Sequence, residues 1–233
     1  FLKNNKFKWC SGLFKPFIDI CPVKELVVFQ HSFNKQYRFP NNKYYYSYDY
    51  IDLKADVLSR LFGTIKDEDA ISIKKLCQLI KYNFDLTYNE ILSIEKRLYI
   101  LSRKLPYLRI EWDKIFEMSS LKVLFLEDAC YQTNAYILKW AKEHGVKTVE
   151  FQHGMTTKFC TVYKQTKELC KKKEYQLYYP DYVLTWGEFW EPYFQLPSTI
   201  IPIGNTIVSK FSILYKEKIK IKSKQKKLLI FYE

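Results

Sequence analysis

Ser120–Met155 reads SLKVLFLEDACYQTNAYILKWAKEHGVKTVEFQHGM, and its spacing of apolar residues decides the fold class. Lys122–Leu126 (KVLFL) is a nearly continuous apolar run, the pattern of a strand covered on both faces. Asn134–His144 puts Ala135, Leu138 and Ala141 on one side at helical spacing. Gly145 then stands where a helix ends in a left-handed C′ residue. Val146–Phe151 (VKTVEF) is a second strand. Strand, loop, helix, glycine, strand is a βαβ unit, which predicts parallel strands joined by a crossover helix. The expected fold class is α/β, a Rossmann-like parallel sheet flanked by helices.

The pattern extends in both directions. Tyr182–Thr185 and Thr199–Ile203 are short strands, separated by a predicted helix around Glu188–Phe194. Upstream, Asp67–Ile80 carries Ile73, Leu76, Cys77 and Ile80 on one stripe, with three acids at its start, where the dipole favours them. Asn89–Leu105 repeats the stripe with Ile91, Ile94, Leu98 and Leu101 and is expected to stop before Pro106. Glu25–Gln30 (ELVVFQ) reads as a buried strand, and the tyrosine-rich Tyr44–Tyr50 as a loop or edge strand. Ile207–Lys227 is polar and rich in lysine, and Leu228–Tyr232 (LLIFY) is again strand-like. One strand cannot bury both faces alone. The expected organisation is a domain over residues 1–206, a basic linker over 207–227, and, at 228–233, the first strand of a truncated second domain.

Composition narrows the class. Of 233 residues 48% are hydrophobic, and only 6 Gly and 8 Pro occur, which excludes disordered and fibrous chains. No apolar run reaches the roughly 18 residues of a membrane-spanning helix. The 6 cysteines have no CxxC or paired spacing, so they are expected to be reduced thiols in a cytoplasmic protein. A net charge of +13 calls for an anionic partner, and the 18% aromatic content offers stacking surfaces for bases or sugar rings. The positive charge is mostly lysine rather than the arginine that reads base edges bidentately, so no specific nucleic acid is expected.

In parallel α/β sheets ligands bind beyond the carboxyl ends of the strands. Polar residues cluster at four such ends: Glu127 and Asp128, Gln152-His153-Gly154, Trp186-Gly187-Glu188, and Gly204-Asn205. His153 can serve as a base or stabilise an anionic leaving group, and Gly154 lets backbone N–H groups approach a ligand. Either Glu127 or Asp128 could deprotonate a hydroxyl or cap the following helix. His31 also follows a strand, but a structural role is favoured there, and His144 suits a helix C-terminus. No GxGxxG, Walker, HExxH or GxSxG motif is present, which weighs against dinucleotide, P-loop, zincin and ordinary hydrolase chemistry.

The order of motifs resembles that of bacterial capsule and lipopolysaccharide glycosyltransferases of the GT-B type. It runs from LEDACYQTNAYILKWAKEHGVKTVEFQHGM through Tyr163, YYPDYVLTWGEFW and IIPIGN to the lysine-rich stretch, over roughly Ser120–Glu233. The resemblance implies the N-terminal, acceptor-side half of a two-domain enzyme that works without a bound metal or other cofactor. A nucleotide-sugar donor would sit on the second domain, and the acceptor would be a growing surface glycan or a lipid-linked one. It implies catalytic roles for His153, Glu127 and Asp128. Substrate contacts would come from Gln152, Gly154, Tyr163, Gly187, Glu188, Gly204 and Asn205. In polysialyltransferases the acidic pair is followed by glycine; here Ala129 follows. The basic surface would hold such an enzyme at an anionic inner leaflet. Two other readings suit the same residues: a polyol-phosphate transferase or sugar-nucleotide epimerase on this architecture, and a non-enzymatic nucleic-acid-binding module.

Overall fold

The computed structural model describes residues 2–3, 9–10, 27–30, 45–118, 120–205 and 208–209. Strands β1 (Leu2–Lys3) and β2 (Trp9–Cys10) pair antiparallel, and β3 (Val28–Gln30) pairs with β4 (Tyr45–Ser47) in parallel. Three helices follow: α1 (Tyr48–Phe62), α2 (Asp67–Asn83) and α3 (Tyr88–Met118). The rest of the described chain builds one sheet from β5 (Val123–Leu126), β6 (Lys147–Phe151), β7 (Tyr182–Thr185) and β8 (Thr199–Pro202). Helix α4 (Asn134–Glu143) connects β5 to β6. The spatial order is β5-β6-β7-β8 and every pairing is parallel. The fold is thus α/β with a four-stranded parallel sheet flanked by helices, an arrangement compatible with a Rossmann-like layer.

The βαβ unit forms where the apolar spacing places it. Gly145 adopts φ +74°, and its N–H bonds the carbonyl of Lys142, closing α4. Ile137, Trp140 and Ala141 of α4 pack with Leu124 of β5, with Tyr48, Ile51 and Ala55 of α1, and with Leu108, Trp112 and Phe116 of α3. This is the principal core. Trp112 lies at its centre, with the rings of Phe29, Tyr48 and Phe116 at 5.2, 5.8 and 5.7 Å.

Helix α3 corrects the expected stop before Pro106. It begins on a capping box, in which Thr87 N–H donates to Glu90 Oε2 (2.8 Å) and Glu90 N–H to Thr87 Oγ1 (3.3 Å). It then runs through Pro106 to Met118. A proline inside a helix costs about 3 kcal/mol. Leu108, Trp112 and Phe116, all buried on one stripe beyond it, each contribute about 1.5–3 kcal/mol. The burial outweighs the break.

Other expectations shift in detail. Tyr45–Ser47 is a strand, but Tyr48 already opens α1, so Tyr44–Tyr50 is not one loop or strand. Glu188–Tyr193 is a 3-10 turn rather than an α-helix. The prediction that β5 is covered on both faces fails on one side: Val123 and Phe125 are 38% and 45% exposed. At the edge of the described sheet, β5 turns Leu124 and Leu126 to the helices and Phe125 away, where it stacks on Phe151 at 5.4 Å. Cys77, Cys130, Cys160 and Cys170 carry free thiols. No helix among the described residues is long and apolar enough to cross a membrane. His31, Cys21, Ile207–Lys227 apart from residues 208–209, and Leu228–Tyr232 lie outside the described residues.

Candidate functional site at the strand ends

A parallel sheet directs all its carboxyl ends to one edge, so the loops after β5, β6, β7 and β8 meet there. The described strand order does not reverse, so the crevice that a reversal would open is not formed among these strands. Side chains at the loops define the site instead.

Two predicted residues come together. His153 Nε2 lies 2.8 Å from Asp128 Oδ1, joining the end of β6 to the end of β5. Their side chains are 32% and 54% exposed, so the pair is open to a ligand. Asp128 stands at φ +54°, a left-handed backbone that costs most residues about 1–2 kcal/mol and that Asp tolerates better. Its carbonyl is held there by Tyr131 N–H (3.0 Å) and the Asn134 side-chain amide (3.1 Å). The loop therefore spends backbone strain to aim the carboxylate at His153. Of the adjacent acids, Asp128 meets the histidine, while Glu127 is half-buried beside it.

Glu150 supports the pair from beneath, and sequence reasoning did not single it out. It lies on β6 opposite Leu126, on the face shared with Leu124, and is 1% exposed. Tyr163 Oη donates to its Oε1 (2.5 Å), Cys130 Sγ to its Oε2 (3.5 Å), and the Ala129 N–H also bonds it. Burial pushes the Glu150 carboxyl above the usual carboxylate range; these donors and the nearby His153 pull the other way. Burial and Glu150 together push the Cys130 thiol and the Tyr163 hydroxyl far up. Ala129 and Cys130 directly follow Asp128, so Glu150 ties the Asp128 loop to the strand that ends at His153. A charged residue inside an apolar strand run was the available signal.

The remaining predicted residues brace or border the pair. Gln152 is buried: its Oε1 accepts from Trp186 N–H (2.9 Å) and its Nε2 donates to the Gly154 carbonyl (3.0 Å). It locks the His153 turn to the end of β7. Tyr163 is buried too, with its hydroxyl committed to Glu150. Gly154 takes no left-handed backbone, and a Cβ there would meet open space, so the fold does not require glycine at this turn. Gly187 does need its freedom, at φ +157° and ψ 168°. Gly204, at φ +83°, turns the chain after β8, and Asn205 Oδ1 accepts from Val208 N–H (3.1 Å). Glu188 is exposed at the start of the 3-10 turn.

The site can therefore position a hydroxyl beside an imidazole–carboxylate pair at a solvent-open edge. Among the described residues no group of three or more His, Cys, Asp or Glu is placed to hold a metal ion. An open depression of about 500 Å³ adjoins Asp128, between the start of α1 and the β5–α4 loop. Comparison with protein-family models, with characterised proteins and with solved structures finds no match to this chain.

Proposed function

We propose that this chain is the acceptor-side half of a GT-B glycosyltransferase that builds a bacterial surface polysaccharide, with Asp128 and His153 as its proton-handling pair. The observation that carries the reading is the 2.8 Å contact between the two at the ends of adjacent parallel strands. With Nε2–H donated to Asp128, the His153 Nδ1 lone pair is left to accept a proton. It takes that proton from the acceptor hydroxyl as the oxygen attacks the anomeric carbon of a nucleotide sugar. The C–O bond to the sugar forms as the bond to the nucleoside phosphate breaks, and the phosphate leaves with the electron pair. Asp128 stabilises the resulting imidazolium and keeps the ring oriented. The donor would be held by a second domain, and the lysine-rich stretch would favour an anionic leaflet carrying the acceptor.

The motif order around Gln152-His153-Gly154 supports the same reading. Purified full-length protein, incubated with a panel of nucleotide sugars and surface-glycan fragments, should release nucleoside phosphate in step with glycan extension. Absence of turnover with every donor, together with salt-sensitive binding of random oligonucleotides, would instead favour the nucleic-acid module.

A further inference from the structure

The depression beside Asp128 has a chemistry that selects among acceptors. Its walls come from two places: the start of α1, with Tyr48 and Asp52, and the loop Asp128–Asn134. Among the described residues no lysine or arginine lines it. Lys104 approaches from behind, but its ammonium is held by Asp52 (2.7 Å) and Asp56 (2.9 Å), and the side chain is largely buried. The backbone N–H groups of Asn134, Tyr136 and Ile137 already bond the carbonyls of Tyr131 and Thr133. Among the described residues, then, no lysine or arginine side chain of the wall meets an incoming negative charge.

What the walls do offer is acceptors. Ionised carboxylates accept hydrogen bonds and cannot donate them. Asp52 and Asp128 each use Oδ1 in their ion pairs with Lys104 and His153, which leaves Oδ2 of each to accept. Gln132, exposed at φ +49°, adds an amide with both donor and acceptor. Tyr131 is half-buried, fixed edge-on against Tyr163 at 6.1 Å, and borders the depression as a rigid aromatic. Tyr48 and Asn134 are already joined (3.4 Å), so the rim is built before any ligand arrives.

We infer that this depression binds an uncharged, hydroxyl-rich pyranose as the acceptor end and excludes phosphorylated or carboxylate sugars. The inference rests on the reading of the chain as a glycosyltransferase and specifies the acceptor of that same site. Vicinal hydroxyls supply the donors that Asp52 and Asp128 lack, and the apolar face of the ring packs on Tyr131. An acceptor-only group such as a phosphate or carboxylate would meet two carboxylates whose own partners, Lys104 and His153, are already engaged.

Ligand-observed NMR titration of the full chain tests this with methyl hexopyranosides, the matching methyl uronides and hexose 6-phosphates as probes. Neutral glycosides should bind the wild type at least about tenfold more tightly than either anionic set, the scale of one charge-assisted hydrogen bond. Tyr131→Ala should weaken the neutral glycosides by about the same factor while the protein stays folded by melting. Asp52→Asn should narrow the gap between neutral and anionic probes. Anionic probes binding as tightly as neutral ones would overturn the inference. So would neutral binding indifferent to both substitutions, or no neutral binding at all. Neutral glycosides that bind without any sugar transfer by the full-length protein would refute glycosyl transfer and leave the sugar site standing. Transfer to an acidic acceptor would do the reverse.

Discussion

Asp181, at the opposite end of the sheet from the candidate site, should behave as a clip between β6 and β7 whose strength depends on pH. Its Oδ2 accepts from Thr148 N–H (2.9 Å) and Thr148 Oγ1 (3.0 Å), while its own N–H donates to Thr148 Oγ1 (3.0 Å). Lys142 Nζ stands 3.3 Å from Oδ1. Burial alone would raise the Asp181 carboxyl, but the Thr148 bonds and Lys142 together hold it below the ordinary aspartate value of 3.8. Lys142 itself is pulled down, because burial of its ammonium outweighs the attraction of Asp181. Of the influences that lower Asp181, the Thr148 backbone bond is the largest and the Lys142 charge the next. Asp181→Ala deletes two bonds to a charged acceptor and orphans the N–H of fully buried Thr148, a loss of about 2–4 kcal/mol. Asp181→Asn keeps an acceptor and loses only the charge, at about 1 kcal/mol. A carboxyl with a depressed folded pKa stabilises above its unfolded pKa, and that stability fades as pH falls through the folded value. In urea unfolding the wild-type advantage over Asp181→Asn should be full at pH 7 and shrink below 3.8. An Asp181→Ala cost under about 0.5 kcal/mol, or a wild-type advantage over Asp181→Asn indifferent to pH, would refute the reasoning.

Two further outcomes follow from the packing. Trp112→Ala should cost about 3–5 kcal/mol in urea unfolding. Trp112→Phe should cost clearly less, because the buried indole Nε1 has no hydrogen-bond partner to lose. Tyr163→Phe should destabilise by about 1–3 kcal/mol, by leaving buried Glu150 short of a hydrogen-bond partner. Glu150 has a raised folded pKa, so its stabilising contribution is present below its ordinary value of 4.5 and lost as pH rises. The Tyr163 bond pulls that carboxyl down, so Tyr163→Phe should raise it further and move the loss of this contribution to higher pH. A penalty that grows on acidification would contradict this role of the Tyr163 bond.

The parallel sheet was legible because buried strands leave apolar runs and Gly145 marks the end of the helix between two of them. Helix α3 was not, because a local rule stops a helix at Pro106 while Leu108, Trp112 and Phe116 gain their burial only from α1 and α4 in the folded molecule. At the site, position along the strands was enough to expect Asp128 and His153 at one edge, but not to choose Asp128 over Glu127. That choice is made by a left-handed backbone that sequence spacing does not encode. Gln152 and Tyr163 belong to the right loops, yet tertiary bonds to Trp186 and Glu150 turn them inward. Asp52 and Tyr48 come from a helix far earlier in the chain, and only the packing of α1 beside α4 brings them to the site.

The proposal that Asp128 and His153 act as one unit on an acceptor proton is tested most directly by a double-mutant cycle on kcat for sugar transfer by the full-length protein. His153→Ala should lower kcat by about two to four orders of magnitude, as for other acid–base residues. Asp128→Ala should lower it by at least about tenfold, and the double variant should fall no further than His153→Ala alone, because each acts only through the other. All three should melt near wild type, since the pair is exposed at a loop edge. Losses that multiply in the double variant, or folded His153→Ala protein that transfers sugar at the wild-type rate, would contradict the account.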